Sequence, residues 1–285
     1  MCKNRFPEYQ VPENHTKRLA FIADLVSASQ ARDVTQSDVA VLCRRQNSTR
    51  QKRFYTDRAR AINALHAVFA EHVNMATFQV RISIRNASDA ARLTTVSKAE
   101  LDKAAANPAY AAQVSISRAS RAFRDMIELG WIIADEQWQV WDKAAGAWID
   151  KVFEVTELFF NAAGITTDRV MKIHRQRMAW ITKRGDMGLT PEQIGNMSIT
   201  QLKEHARTVY RHKAFERRAK DHARKKVIRQ LQEGDLAAQR RIAQNRVLDA
   251  LGDEIRFLDK DQFKDLVNRE IAMLRKFSGV SAPPH

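Results

Sequence analysis

The stretch that most constrains the fold runs Ser115-Ile-Ser-Arg-Ala-Ser-Arg-Ala-Phe-Arg-Asp-Met-Ile-Glu-Leu-Gly-Trp131. Ala119, Ala122, Phe123, Met126 and Ile127 recur at three- and four-residue steps, which places them on one face of a helix. At 3.6 residues per turn, Ser117, Arg121, Arg124 and Glu128 fall on the opposite face, with Arg118 on its flank and Ser120 close by. Ser117 is the expected N-cap, since its hydroxyl can accept a backbone N–H of the first turn. Gly130 is the expected glycine just past the end. An apolar back and a front of serines and arginines suit the DNA major groove. Arginine reads guanine edges there, and serine and arginine both hold phosphates. The stretch therefore predicts a recognition helix followed by the first strand of a wing.

The flanking patterns extend this into a domain. Residues 1–16 read as an irregular arm broken by Pro7, Pro12 and Asn14. Thr16–Ala28 and Thr35–Leu42 predict two helices, the second capped by Thr35 or Ser37, and 44–53 a basic connector. Thr56–Val73 carries a strong apolar stripe through Ala59, Ile62, Leu65, Ala67 or Val68, and Phe69. Phe78–Ile84 alternates with period two and predicts a strand. Asn86 or Ser88 would cap a short helix, and the alanine-rich 94–113 reads as an inserted helix plus loop. Trp131–Val140 and Trp148–Thr156 predict a hairpin across a turn at Asp142–Gly146. Helix, strand, helix, helix, hairpin is the order of a winged helix. From Thr167 onward the pattern is helical: 167–184, 190–231, 235–251 and 259–277. The expected class is mainly α (α+β). Its divisions are an arm with short helices (1–52), a winged helix-turn-helix domain with a β-hairpin wing (53–165), a helical basic C-terminal domain (166–280) and a tail (281–285).

Charge sharpens the function. Lys and Arg number 48 against 33 acids, a formal net charge of +15, which points to a polyanionic partner. Residues 207–246 hold 13 Lys/Arg and 4 acids, whereas 249–277 are near neutral. The basic stretch reads as a phosphate-tracking surface, through Arg211, Arg217, Arg218, Arg224, Lys225 and Lys226. Lys143 and Lys151 would touch backbone from the wing. Leu258, Phe263, Leu266 and Ile271, with Ile255, are either core or a protein-contact face.

Several classes lose support. No apolar run reaches the roughly 20 residues of a membrane span, and the N-terminus has no apolar signal core. Cys2 and Cys43 form no CxxC pair and read as reduced thiols of a cytoplasmic protein. There is no GxxxxGK[ST] loop, no clustered carboxylates, and the eight histidines are scattered. No enzyme, metal or cofactor is expected. The tryptophans, four of the five within 131–148, read as wing and core packing and not as a base-stacking platform.

Val114-Ser-Ile-Ser-Arg-Ala-Ser-Arg-Ala122, then Glu128-Leu-Gly-Trp131 with the wing, then Ala206-Arg-Thr-Val-Tyr-Arg211 in a basic helical half, carry a resemblance. Residues 53–231 resemble the RepA replication initiators of IncFII-type theta-replicating plasmids. Residues 1–50 and 94–113 carry none of these marks. The resemblance implies sequence-specific binding of plasmid origin duplex DNA, action with the host initiator DnaA, local strand opening and loading of the host replicative helicase, with self-association on DNA. It also implies a second, wingless or degenerate DNA-binding unit within 186–277. The residues alone leave two other classes open. One is a winged-helix repressor binding its own promoter, and the other is a general basic scaffold for nucleic acid.

Overall fold

The computed structural model describes residues 4–13, 15, 18–46, 52–107, 110, 112–134, 139–142, 147–150, 152–232, 236–252 and 258–278. The fold is mainly helical. It divides into two compact units, Met1–Arg211 and His212–His285. The division between them falls inside a helix, 199–232.

In the first unit α1 (Ala20–Gln30) leads through a 3-10 turn (Val34–Gln36) to α2 (Asp38–Gln46). Ser37 Oγ accepts the Ala40 N–H at 3.2 Å, as the sequence predicts for one of its two capping candidates. The centre is α3 (Thr56–His72), whose Ile62, Leu65 and Phe69 are fully buried. Its alanines 59, 61, 64, 67 and 70 are buried too and let neighbouring helices come close. Phe21, Ile22 and Leu25 of α1 join the same core, and each such side chain contributes about 1.5–3 kcal/mol by leaving water.

Three antiparallel strands close one side: β1 (Gln79–Val80), β4 (Ile132–Ile133) and β7 (Phe153–Val155), in the order β1-β7-β4. Val80 opposes Phe153 and Ile132 opposes Val155. Between β4 and β7 lies a hairpin of β5 (Gln139–Asp142) and β6 (Ala147–Asp150), with Trp141 opposite Trp148. Of the turn predicted at Asp142–Gly146, Asp142 belongs to β5 and 143–146 lie outside the described residues.

The strand predicted over 78–84 shrinks to the two residues of β1. Turn chemistry overrides the alternation at both ends. Asn74 takes the Phe78 N–H on its carbonyl at 2.7 Å and the Ala76 N–H on its side chain at 2.8 Å, and Phe78 has φ +57°. Ser83 then accepts the Asn86 N–H at 3.1 Å and starts α4 (Ile84–Ala90), in place of the expected Asn86 or Ser88 cap.

The insertion that follows is closed at its base. β2 (Thr95–Val96) pairs with β3 (Val114–Ser115), Thr95 opposite Ser115. Within the ring, α5 (Lys98–Ala106) is capped by Ser97. The Glu100 carboxylate accepts the Gln113 N–H (2.9 Å), the Lys103 ammonium (2.9 Å) and the Tyr110 hydroxyl (2.8 Å). These bonds, the Gln113 amide first, hold its pKa down at about 2. α6 (Ser117–Glu128) starts directly after β3.

After β7 come α7 (Glu157–Ala162), α8 (Thr167–Arg184) and α9 (Pro191–Gly195). α10 (Ile199–Gln232) begins in this unit and continues into the second. The helix predicted over 190–231 is thus two helices. Thr190 and Gln193 form a capping box for α9, and Ser198 and Gln201 exchange the same pair of bonds before α10. The second unit holds the rest of α10, then α11 (Leu236–Leu251) and α12 (Lys260–Ser278). Val227 and Leu231 pack with Leu274, and Ala243 and Val247 with Val267. Phe263, Leu266 and Ile271 pack against the latter cluster, which answers the core-or-contact alternative in favour of core for these three. Among the described residues, 186–278 contain helices and one isolated bridge, Asp186 to Leu189, and no wing.

His66 fixes three elements at once. Its Nδ1 accepts from the Ser29 hydroxyl at 2.7 Å, and its Nε2–H donates to the Phe159 carbonyl at 3.0 Å, while the ring stacks on Phe159. Burial pushes its pKa down to about 4. The unfolded chain, with an ordinary imidazole near 6.5, therefore takes up a proton that the folded chain refuses. The resulting stability is complete above pH 6.5 and is lost as the pH falls from there toward 4. Urea unfolding should show this group removing about 2 kcal/mol between pH 7 and pH 5, and His66→Gln should abolish that part of the slope.

Candidate nucleic-acid interface

α6 turns its back to the core as its spacing requires. Ala119, Ala122, Phe123 and Met126 are buried, and Phe123 meets Phe69 and Phe153 edge-on at 6.1 and 4.9 Å. Two positions differ from expectation. Ile127 is 37% exposed, whereas Asp125 is buried and ion-paired with Arg58 of α3. This ion pair between the two helices fixes the rotation of α6 on α3.

The ends of α6 are set by different devices. Gly130, at φ +72°, donates to the Ile127 carbonyl at 2.8 Å, and Trp131 donates to the Met126 carbonyl at 2.9 Å. This is a Schellman ending, in which the left-handed residue is glycine because a Cβ would be strained. At the start, Ile116 and not Ser117 occupies the N-cap, and no side chain caps the helix. The β2–β3 pairing holds Ser115 extended, and its hydroxyl accepts the Ser117 N–H at 3.4 Å. Ser115 is a contributor that the helical wheel alone misses.

On the front, Arg121 and Arg124 are exposed, with Ser117 and Ser120 half-buried beside them. Arg118 is engaged elsewhere: Nη1 donates to the Asn4 carbonyl of the N-terminal arm at 2.8 Å, and burial lowers its pKa. The described part of the arm is anchored at several points. Tyr9 is 2% exposed and its carbonyl accepts from Gln30 at 2.7 Å. Arg60 donates to the Arg5 carbonyl at 3.1 Å and covers the Phe6 ring. Lys143 and Lys151, the predicted wing contacts, lie outside the described residues.

The basic helix separates into anchors and exposed cations. Glu154 of β7 takes Lys203 at 2.5 Å and Arg207 at 3.1 Å, and the buried Gln79 donates to the Lys203 carbonyl at 3.0 Å. Arg207 is thus an anchor of α10. Arg211 is half-buried in the first unit. In the second unit Arg217, Arg224, Lys225 and Lys226 are exposed and Arg218 is half-buried. No residue from 212 to 226 is buried. A helix polar on every side is a solvated span held by its ends.

Cys43 is half-buried, and burial raises its pKa away from the reactive thiolate. Among the described residues no three His, Cys, Asp or Glu side chains converge as metal ligands, and no helix is long and apolar enough to cross a membrane.

Comparison with known proteins gives this geometry a family. The model of the IncFII RepA protein family matches residues 1–279. The chain belongs to that family. The match takes in the arm and the 94–113 insertion, which the sequence marks alone do not reach. Three similar proteins are each named probable replication-associated protein repA1. That of Buchnera aphidicola subsp. Cinara cedri is 28% identical over 201 residues, covering 67% of this chain and 66% of the relative. That of the Schizaphis graminum subspecies is 24% identical, covering 77% and 73%, and that of the Acyrthosiphon pisum subspecies 27%, covering 63% and 61%. The chain thus spans about two thirds of the length of these relatives. No solved structure matches it.

The Arg58–Asp125 pair gives a test of what holds α6. Arg58→Ala leaves a buried carboxylate without this cation and should cost about 2 kcal/mol or more of stability at neutral pH, read by urea unfolding. Asp125→Asn in the same background should recover part of the loss, because the unpaired charge is then gone.

Proposed function

We propose that the chain is a plasmid replication initiator that binds its origin duplex sequence-specifically and acts without bond-breaking chemistry of its own. The observation that carries this reading is the exposed arginine front of α6, in a member of the IncFII RepA family whose relatives are named replication-associated. The supporting architecture is α3, β1, α4, α6 and a hairpin, with β7 between β1 and β4. This order supports the reading of a winged helix, with α6 as its reading helix.

In this reading Arg121 and Arg124 enter the major groove and Ser117 and Ser120 hold phosphates. Arg118 joins them once its bond to the Asn4 carbonyl opens. Lys143 and Lys151 enter from the sequence alone, as backbone contacts of the hairpin. Arg211, Arg217, Arg218, Arg224, Lys225 and Lys226 bind phosphates without sequence preference. Strand opening, and work with DnaA and the replicative helicase, follow from the family resemblance.

Footprinting the purified chain across the whole DNA molecule that encodes it tests the reading. Protection of an origin-like region, with unpaired bases mapped beside it on supercoiled DNA, is the expected result. Protection confined to the chain's own promoter, without opening, would identify a repressor instead. Arg121→Ala should cost about 1–3 kcal/mol and relax the sequence preference. Lys225→Ala should weaken all duplexes alike and lower the salt slope by about one. An Arg121→Ala protein with unchanged affinity and selectivity would remove α6 as the reader.

A further inference from the structure

α8 carries a basic face that the duplex reading leaves unused. Its inner side is fixed: Ile181 is fully buried with Ala76, Ile194 and Leu202. The residue before it, Trp180, therefore points outward and is 42% exposed. This indole is also held in place. The Arg177 guanidinium lies 4.1 Å from the ring centroid and is itself tied to Asp186 at 3.1 Å, and Arg184 lies 5.6 Å from the same ring. Lys172, Arg175 and Lys183 are exposed on the outer side, over about three turns of helix. Among the described residues no carboxylate pairs with these three cations.

We propose that this face of α8 binds single-stranded DNA, with an unpaired base stacked on Trp180 and the strand's phosphates on Lys172 and Lys183. A preorganised aromatic bordered by cations is the recurring device for unpaired strands, because every base has a flat face and every linkage a charge. Duplex DNA fits it less well, since paired bases offer no open face to an indole on a convex helix. The proposal rests on the initiator reading for the source of the strand, and it gives that reading a place where one strand of opened duplex is kept apart.

The test is fluorescence anisotropy of labelled oligo(dT) with the full chain, beside a duplex carrying the footprinted site. Trp180→Ala should weaken oligo(dT) binding roughly tenfold, and Trp180→Phe should keep most of it. Lys172→Ala and Lys183→Ala should each lower the oligo(dT) salt slope by about 0.7. None of these variants should change affinity for the site duplex. Wild-type oligo(dT) affinity in Trp180→Ala, an equal loss on duplex and single strand, or stronger competition by oligo(U) than by oligo(dT) would each overturn the proposal. Loss of site-specific duplex binding with oligo(dT) binding intact would sink the initiator reading and leave this site standing.

Discussion

Everything on the side of the first unit that carries the α6 arginines depends on how closely α3 can be approached. Five buried alanines give the helix a narrow surface, and α1 and α6 both pack against it. Specific groups then lock the packing that the small side chains permit. His66 ties α3 to α1 and to the start of α7, and does so only as a neutral ring. Phe69 sets α6 and β7 through Phe123 and Phe153, and Arg58 sets the rotation of α6 through Asp125. With its back held at those points, α6 has only one direction in which Arg121 and Arg124 can project.

Much of this was readable from spacing. The long apolar stripes of α3 and α6 marked those helices, and α8 runs over the predicted 167–184. The break between α9 and α10 was also written locally, as Thr190-Pro-Glu-Gln193 and Ser198-Ile-Thr-Gln201, two capping boxes nine residues or fewer apart. What the pattern could not supply came from contacts distant in sequence. Strand alternation over 78–84 lost to the Asn74 turn and the Ser83 cap. The N-cap of α6 moved from Ser117 to Ile116 because β2, about twenty residues earlier, pairs with the segment before it. Arg118 was drawn off the front by a backbone carbonyl at residue 4, and a carbonyl leaves no signature in a sequence.

The same distinction runs through the charges. A count of cations treats Arg58, Arg177 and Arg207 like Arg121 and Lys225, yet the first three are structural. Each meets a carboxylate on another element or loop: Asp125, Asp186 and Glu154 respectively. The basic stretch of α10 therefore begins with anchors at Lys203 and Arg207 and becomes a solvated span only beyond them. Net charge points toward a polyanionic partner; burial and pairing say which cations are left exposed.

The pinched base of the 94–113 ring has a consequence of its own. Because Thr95 faces Ser115 across a strand pair, the chain leaves and returns at one point, and α4 and α6 are spaced as though the ring were absent. Length and composition inside the ring are thereby uncoupled from α6. Such a segment can diverge, grow or shrink among relatives at little cost, since loop closure changes only slowly with length. Lineages could in this way elaborate a new surface a few residues from the arginines of α6 while leaving the geometry of those arginines intact.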